Sequence, residues 1–270
     1  MKKLIAILLA LVMVAGLMAC GTAPKNDNSE TKPENTADTA LKTIEDGKLI
    51  MSTNAAFPPY EMTTDDGGFE GIDVEIATAI AKKLGLELEI LDMDFDAALL
   101  AVNEGKSDIV MAGVTVNEDR QVVMDFTDSY ATGEQVVIVK EGSDVTMDNL
   151  GEKMIGAQRG TTGYIYASDT PENGGYGEDH VTAYDNGATA VQALMNGQVD
   201  CVIIDNAPAK EFVKANTGLT ILEGTWVTEN YAIGCDKGNT ELVSAINAAL
   251  AELTADGTVQ QIIDKYITAE

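Results

Sequence analysis

Apolar positions along the chain fall into short blocks whose period changes from two to about four and back. Lys48 to Ser52 is a strand candidate, and Asn54 to Pro59 interrupts it, because Pro58-Pro59 excludes helix. Asp65-Asp66-Gly67-Gly68 marks a turn between two short extended pieces. Asp73 is read as the cap of a helix reaching Leu84. Ile76, Ile80 and Leu84 share a face with Ala77 and Ala81, and Gly85 ends it. Leu86, Leu88 and Ile90 then alternate with acids, a strand pattern. Asp96 opens a second helix to about Asn103, stopped near Gly105, and Asp108 to Met111 is a buried strand. Strand, helix, strand, helix, strand predicts an α/β sheet with parallel strands. The tail from Thr240 to Ile267 reads as helix, a break at Ala255-Asp256-Gly257, and helix, with Ile246, Leu250 and Leu253 on one face.

An internal echo predicts two similar halves. Leu100 to Met111 matches Gln192 to Ile203 in type: a helix end, a glycine stop, an aspartate, then an apolar strand. In open α/β sheets ligands gather beyond the carboxyl ends of strands. The first strand runs out into Gly113-Val114-Thr115 and the second into Asp205-Asn206, so Thr115 and Asp205 are expected to face one cleft.

The N-terminus bears on location. Lys2 and Lys3 precede an almost unbroken apolar run, Leu4 to Met18, which falls short of the roughly 20 residues a membrane span needs. Its basic flank, apolar centre and small-residue end are those of a secretory signal. The run closes in Leu17-Met18-Ala19-Cys20-Gly21, which resembles the bacterial lipobox, where the cysteine thiol receives a diacylglyceryl group. Residues 1–20 are therefore expected to be a lipoprotein signal ending at Cys20, and 21–46, polar and poor in apolar residues, a disordered tether. An exported protein, lipid-anchored at the outer face of the bacterial cell membrane, follows as the expectation.

The formal charge of −27 makes nucleic acid an improbable partner and suits solubility. Of three cysteines, Cys201 and Cys235 lie in apolar segments and read as buried thiols, with a disulfide between them left open. Neither a CxxC motif nor a Cys/His cluster suggests a metal, His180 is the one histidine, and no cofactor motif is present.

One family shares a whole series of these segments. They are Phe57-Pro58-Pro59-Tyr60-Glu61, Gly71-Ile72-Asp73-Val74-Glu75, Met93-Asp94-Phe95-Asp96, Ala112-Gly113-Val114-Thr115 with Asn117-Glu118-Asp119-Arg120, Asp125-Phe126-Thr127, Gly160-Thr161-Thr162-Gly163 and Ile204-Asp205-Asn206-Ala207-Pro208. In this order and spacing they resemble the family 3 solute-binding proteins, the polar amino-acid-binding proteins of ABC importers. The resemblance runs from Lys48 to the end. It implies an α/β fold of two lobes, the type II periplasmic-binding-protein arrangement, each lobe a mixed sheet flanked by helices with the ligand cleft between. Residues 47–130 with 227–270 would form lobe one and 134–223 lobe two, with crossings at 129–135 and 223–226. The implied function is capture of a free polar amino acid outside the cell and delivery to a membrane permease, by a monomer that does no chemistry.

The residue types fit that task. Arg120 offers a planar fork matched to a carboxylate. Thr115 can add a hydroxyl, and the backbone N–H groups of Thr115, Gly113 and Thr162 are expected donors. Gly160 and Gly163 would allow close backbone approach. Asp205, before Pro208, could cap a helix without any ligand, but the resemblance favours its assignment to the ligand ammonium. Phe57 and Phe95 would sandwich the aliphatic part, and Thr161 would add a contact from lobe two. Asn54 and Gln158 occupy positions that in the family often face the ligand side chain. Cation binders often carry an acid where Asn54 stands, so the amide leans towards a neutral polar ligand. A neighbouring acid, Glu61 or Asp94, would reverse that leaning.

Two rivals remain at this level. Some proteins of this fold class are dehydratases acting on cyclohexadienyl acids, but the chain offers neither nucleophile elbow nor phosphate loop. A ligand-sensing module would need a second membrane segment or a fused signalling domain, or a separate sensor to read it.

Overall fold

A computed structural model describes residues 41–267. The expected signal, Cys20 and most of the tether lie outside these residues. Within them the strands and helices run, in chain order, β1 (Lys48–Thr53), β2 (Ala56–Phe57), β3 (Glu61–Thr63), β4 (Phe69–Glu70), α1 (Ile72–Leu84), β5 (Glu87–Asp92), α2 (Phe95–Asn103), β6 (Ile109–Val110), α3 (Glu118–Val123), β7 (Met124–Lys140), β8 (Ile155–Gln158), α4 (Thr162–Ser168), β9 (Val181–Tyr184), α5 (Gly187–Met195), β10 (Cys201–Asp205), α6 (Asn206–Ala215), β11 (Leu219–Ile221), β12 (Val227–Asp236), α7 (Thr240–Ala255) and α8 (Thr258–Tyr266).

One curled mixed sheet runs β5-β1-β6-β12-β7-β10-β8-β9, with β11 beside β7, and a small antiparallel sheet joins β2, β3 and β4. The predicted parallel unit is present, since β1 pairs in parallel with both β5 and β6. A second parallel unit, β10-β8-β9, repeats it. The two are joined through β7 and β12, which pair antiparallel from Val227↔Gln135 to Asp236↔Met124. Residues 129–135 therefore lie inside a long strand, and 223–226 lead into its partner.

The echo has a physical basis. α2 leads to β6 and α5 leads to β10, and the C-cap of each helix is followed by a glycine of positive φ, Gly105 at 67° and Gly197 at 73°. Both strands are buried along their length. The first half is covered by α1, α7 and α8, whose apolar faces (Ile76, Ile80, Ile246, Leu250, Leu253, Ile262) pack with Leu49, Ile109 and Met111 of the sheet. Burial of each such side chain contributes about 1.5–3 kcal/mol.

Two expected helix starts are corrected. Gly71, not Asp73, is the N-cap of α1, with φ of 132°. Here the chain folds against its own preceding turn, and a Cβ on Gly71 would lie 2.2 Å from the Tyr60 carbonyl oxygen. Asp73 then falls in the first turn and points inward. Asp94, not Asp96, is the N-cap of α2. The folded part also begins earlier than expected, because the Ile44 N–H donates to Asp108 Oδ1 at 2.7 Å. Cys201 and Cys235 are free and buried in β10 and β12.

Candidate functional site

Beyond the ends of β1, β6, β8 and β10 the two halves line one common cavity. Asn54, Phe57, Phe95, Gly113, Thr115, Arg120, Gln158, Thr161, Thr162 and Asp205 all line it. Glu61 and Ala112 complete the wall.

Arg120 sits in α3, whose N-cap, Asn117, accepts the Arg120 N–H at 2.8 Å. Its side chain is buried rather than paired on the surface with Glu118 or Asp119. Nη1 donates to the Thr115 carbonyl at 2.7 Å and Nη2 to the Gly160 carbonyl at 3.1 Å, and the guanidinium lies 5.4 Å from the Phe95 ring centroid. Burial lowers its pKa to about 10, against the opposing pull of Glu229. It stays a cation at neutral pH and holds the two halves together, since Thr115 follows β6 and Gly160 follows β8.

A second polar bridge joins the halves. Gln158 Nε2 donates to Asn54 Oδ1 at 2.9 Å, and Asn54 Nδ2 donates to the Met93 carbonyl at 2.9 Å. Gly160 permits this closeness: with φ of 74° it sits against α2, where a Cβ would meet Asp96 Cβ at 3.3 Å. Thr161 caps α4, its hydroxyl accepting the Tyr164 N–H. Arg159, the other arginine, faces away and reaches Asp185 at 3.9 Å.

Gly113 works differently from expectation. Its N–H donates to Asp73 Oδ2 at 2.9 Å and so is committed inside the protein. Its contribution is room, because a Cβ there would lie 2.9 Å from Phe57 Cε1. Phe57 stacks on Tyr60 at 5.7 Å, and Tyr60 meets Tyr231 edge-on at 5.3 Å, which fixes this apolar wall.

Asp205 occupies the N-cap position of α6 yet makes no capping hydrogen bond with its side chain. Oδ2 instead accepts from Gln135 Nε2 at 2.9 Å, while Oδ1 is buried without a partner. Burial, then the nearby Glu229, pushes its pKa well up. Glu61 is wholly buried, and burial followed by the charge of Asp73 raises its carboxyl well above the ordinary range. Burial also lifts Asp73 to about 6, partly offset by the Gly113 N–H and by Tyr130 and Glu61.

Glu229 carries no signal of its own in the sequence pattern. It is buried on β12, where Oε2 accepts from Thr115 Oγ1 at 3.1 Å and from Gln135 Nε2 at 3.0 Å. Among the described residues no group of His, Cys, Asp and Glu could hold a metal ion, and no helix is long and apolar enough to cross a membrane.

Residues 49–269 match the model of the bacterial extracellular solute-binding proteins, family 3. The chain belongs to this family. It is 33% identical to a probable histidine-binding protein of Neisseria gonorrhoeae, covering the whole of this chain and 97% of that protein. It is 30% identical to the arginine-binding extracellular protein ArtP of Bacillus subtilis over the full length of both. Among solved structures, an ancestral arginine-binding protein bound to glutamine superposes with a TM-score of 0.76 at 38% identity, over 83% of this chain and all of that one. This family member therefore has the two-lobed fold expected for it.

Proposed function

We propose that this protein captures a free amino acid outside the cell and delivers it to an ABC importer, and that its ligand carries a cationic side chain. The observation that carries the reading is the common cavity itself. A buried guanidinium and a buried acid with an unpartnered oxygen face the same space, between aromatic walls. A zwitterion supplies the carboxylate for Arg120 and the ammonium for Asp205. Buried charges are tolerated when paired, and truncating one partner leaves the other exposed to the full desolvation penalty.

The charge balance supports the cationic side chain. Glu61 and Asp205 line the cavity, with Asp73 and Glu229 behind them, and Arg120 is the one cationic residue of the wall. A neutral amino acid leaves that excess of acid in place, whereas a guanidinium or ammonium beside Glu61 offsets it. The leaning drawn from Asn54 is thereby reversed, as its amide is engaged with Gln158 and Met93. The histidine- and arginine-binding relatives agree, while the glutamine-bound ancestral protein favours a neutral amide as the second reading.

Titration calorimetry with L-arginine and L-citrulline separates the two, because the ligands differ little except in charge. Arginine should bind at least about tenfold tighter, and Glu61→Gln should narrow the gap. Equal affinities would exclude the cationic side chain and leave the amino-acid reading standing.

In operation, residues 47–130 with 227–270 act as one lobe and 134–223 as the other, swinging about 129–135 and 223–226. Groups from both lobes meet the ligand together only in the closed form, and that difference shifts the population. The closed form docks on the permease, and a lipid on Cys20 keeps it near the membrane. Cys20→Ala should release the protein from cells, and retention at the membrane would remove the anchor from the account.

A further inference from the structure

Glu229 and Gln135 belong to no part of the recognition described so far, yet they connect two of its residues. Gln135 lies on β7 and Glu229 on β12, the strands shared by both halves. The single amide nitrogen of Gln135 donates to Asp205 Oδ2 at 2.9 Å and to Glu229 Oε2 at 3.0 Å. Thr115 Oγ1 donates to the same Glu229 oxygen at 3.1 Å. The order Thr115, Glu229, Gln135, Asp205 therefore runs from the first half, through the shared strands, to the second.

Two carboxyl groups held by one amide leave acceptors unused. Asp205 Oδ1 and Glu229 Oε1 are both buried and both without a partner. Buried acceptors of this kind are destabilising unless a donor arrives. The missing component is a compact cation with several N–H donors, and the ammonium of an amino acid is such a group.

Resting on the amino-acid reading above, we propose that Glu229 is a positioning residue of the ammonium site, a second acid that acts through Thr115 and Gln135 to set Asp205 and Thr115 for the ligand nitrogen. Because its strand joins the halves, neutralising this site also fixes the strand that both halves share. Asp205 is then one member of a two-acid pole, and Thr115 serves that pole through its hydroxyl.

The test is a pair of affinities in parent and variant. L-Arginine and 5-guanidinopentanoate differ only in the α-ammonium, as do L-glutamine and glutaramate. In the parent, the affinity ratio within a pair measures what the ammonium contributes. Glu229→Gln keeps the size and an acceptor for Thr115 but removes the charge, and should shrink that ratio by about tenfold or more. Glu229→Asp, which retains the charge, should recover part of it. A merely structural role would weaken both members of a pair alike and leave the ratio unchanged, and that result would overturn the proposal. Where neither binds, the same comparison is made with the standard amino acid that does and its desamino analogue; a parent that binds none of the standard amino acids would instead sink the amino-acid reading, and this proposal with it.

Discussion

Replacing Asp73 by asparagine tests how the protein holds its buried acids. Asp73 is fully buried in the first turn of α1, with Gly113 N–H on Oδ2. Burial lifts it from 3.8 to about 6. A group whose folded pKa is raised keeps a proton that the unfolded chain has already lost. Between pH 3.8 and about 6 the native state thus binds more protons, and stability falls as pH rises. A shift of this size corresponds to about 3 kcal/mol. Asparagine keeps the acceptor for Gly113 and cannot ionise, so this part of the pH dependence disappears. Urea unfolding of ligand-free parent and variant at a series of pH values reads it directly, and acids outside this cluster, such as exposed Asp66 and half-buried Asp125, contribute equally to both. The stability of the variant relative to the parent should climb by up to about 3 kcal/mol from pH 4 to 6 and level off above. A difference that stays flat across the range would refute the assignment of a raised pKa to Asp73.

Other substitutions probe the wall and the shared strands. Arg120→Lys keeps the charge but loses the planar fork that spans Thr115 and Gly160, so ligand affinity should fall by about tenfold or more in calorimetry. An unchanged affinity would show that a point charge suffices. Gly133→Ala puts a Cβ 2.1 Å from Tyr231 Oη across the β7–β12 pair, and thermal melting should show a loss of about 1–3 kcal/mol. A parent-like melting temperature would mean that the ring moves freely. Cys201 and Cys235 are buried, with desolvation lifting both thiols to about 12, so a thiol reagent should label neither in native protein whose Cys20 is acylated or replaced. Fast labelling of either would contradict the burial of β10 or β12.

Local order was legible wherever it rests on nearby residues. Helix periodicity, glycine stops and the echo of Leu100–Met111 in Gln192–Ile203 fixed the two parallel units, because each depends on spacing within a dozen or so positions. The ten expected residues all line the cavity; the strand ends pointed to Thr115 and Asp205, and the resemblance supplied the others. What escaped depends on partners far apart in the chain. Asp73 reads as a helix cap locally, but its oxygen serves Gly113, forty residues on. Glu229 sits in a strand of mixed burial, Thr228-Glu229-Asn230, and its role exists only once Gln135 and Thr115 arrive from other strands. Glu61 was in view as an acid that could reverse the ligand leaning, but its full burial in the cavity wall beside Asp73 was not. Nor could composition reveal that residues 129–135 are part of a seventeen-residue strand, since a crossing loop tolerates the same residues.

The most direct test of the central claim is a thermal-shift screen against the standard amino acids, after unfolding and refolding to strip any carried ligand. A ligand that binds only the native state stabilises it by RT ln(1 + [L]/Kd), roughly 4 kcal/mol at about 1,000 times Kd. The account predicts a large upward shift with one or a few cationic amino acids, arginine, lysine or histidine, and much smaller shifts with the rest. No shift with any amino acid would contradict it.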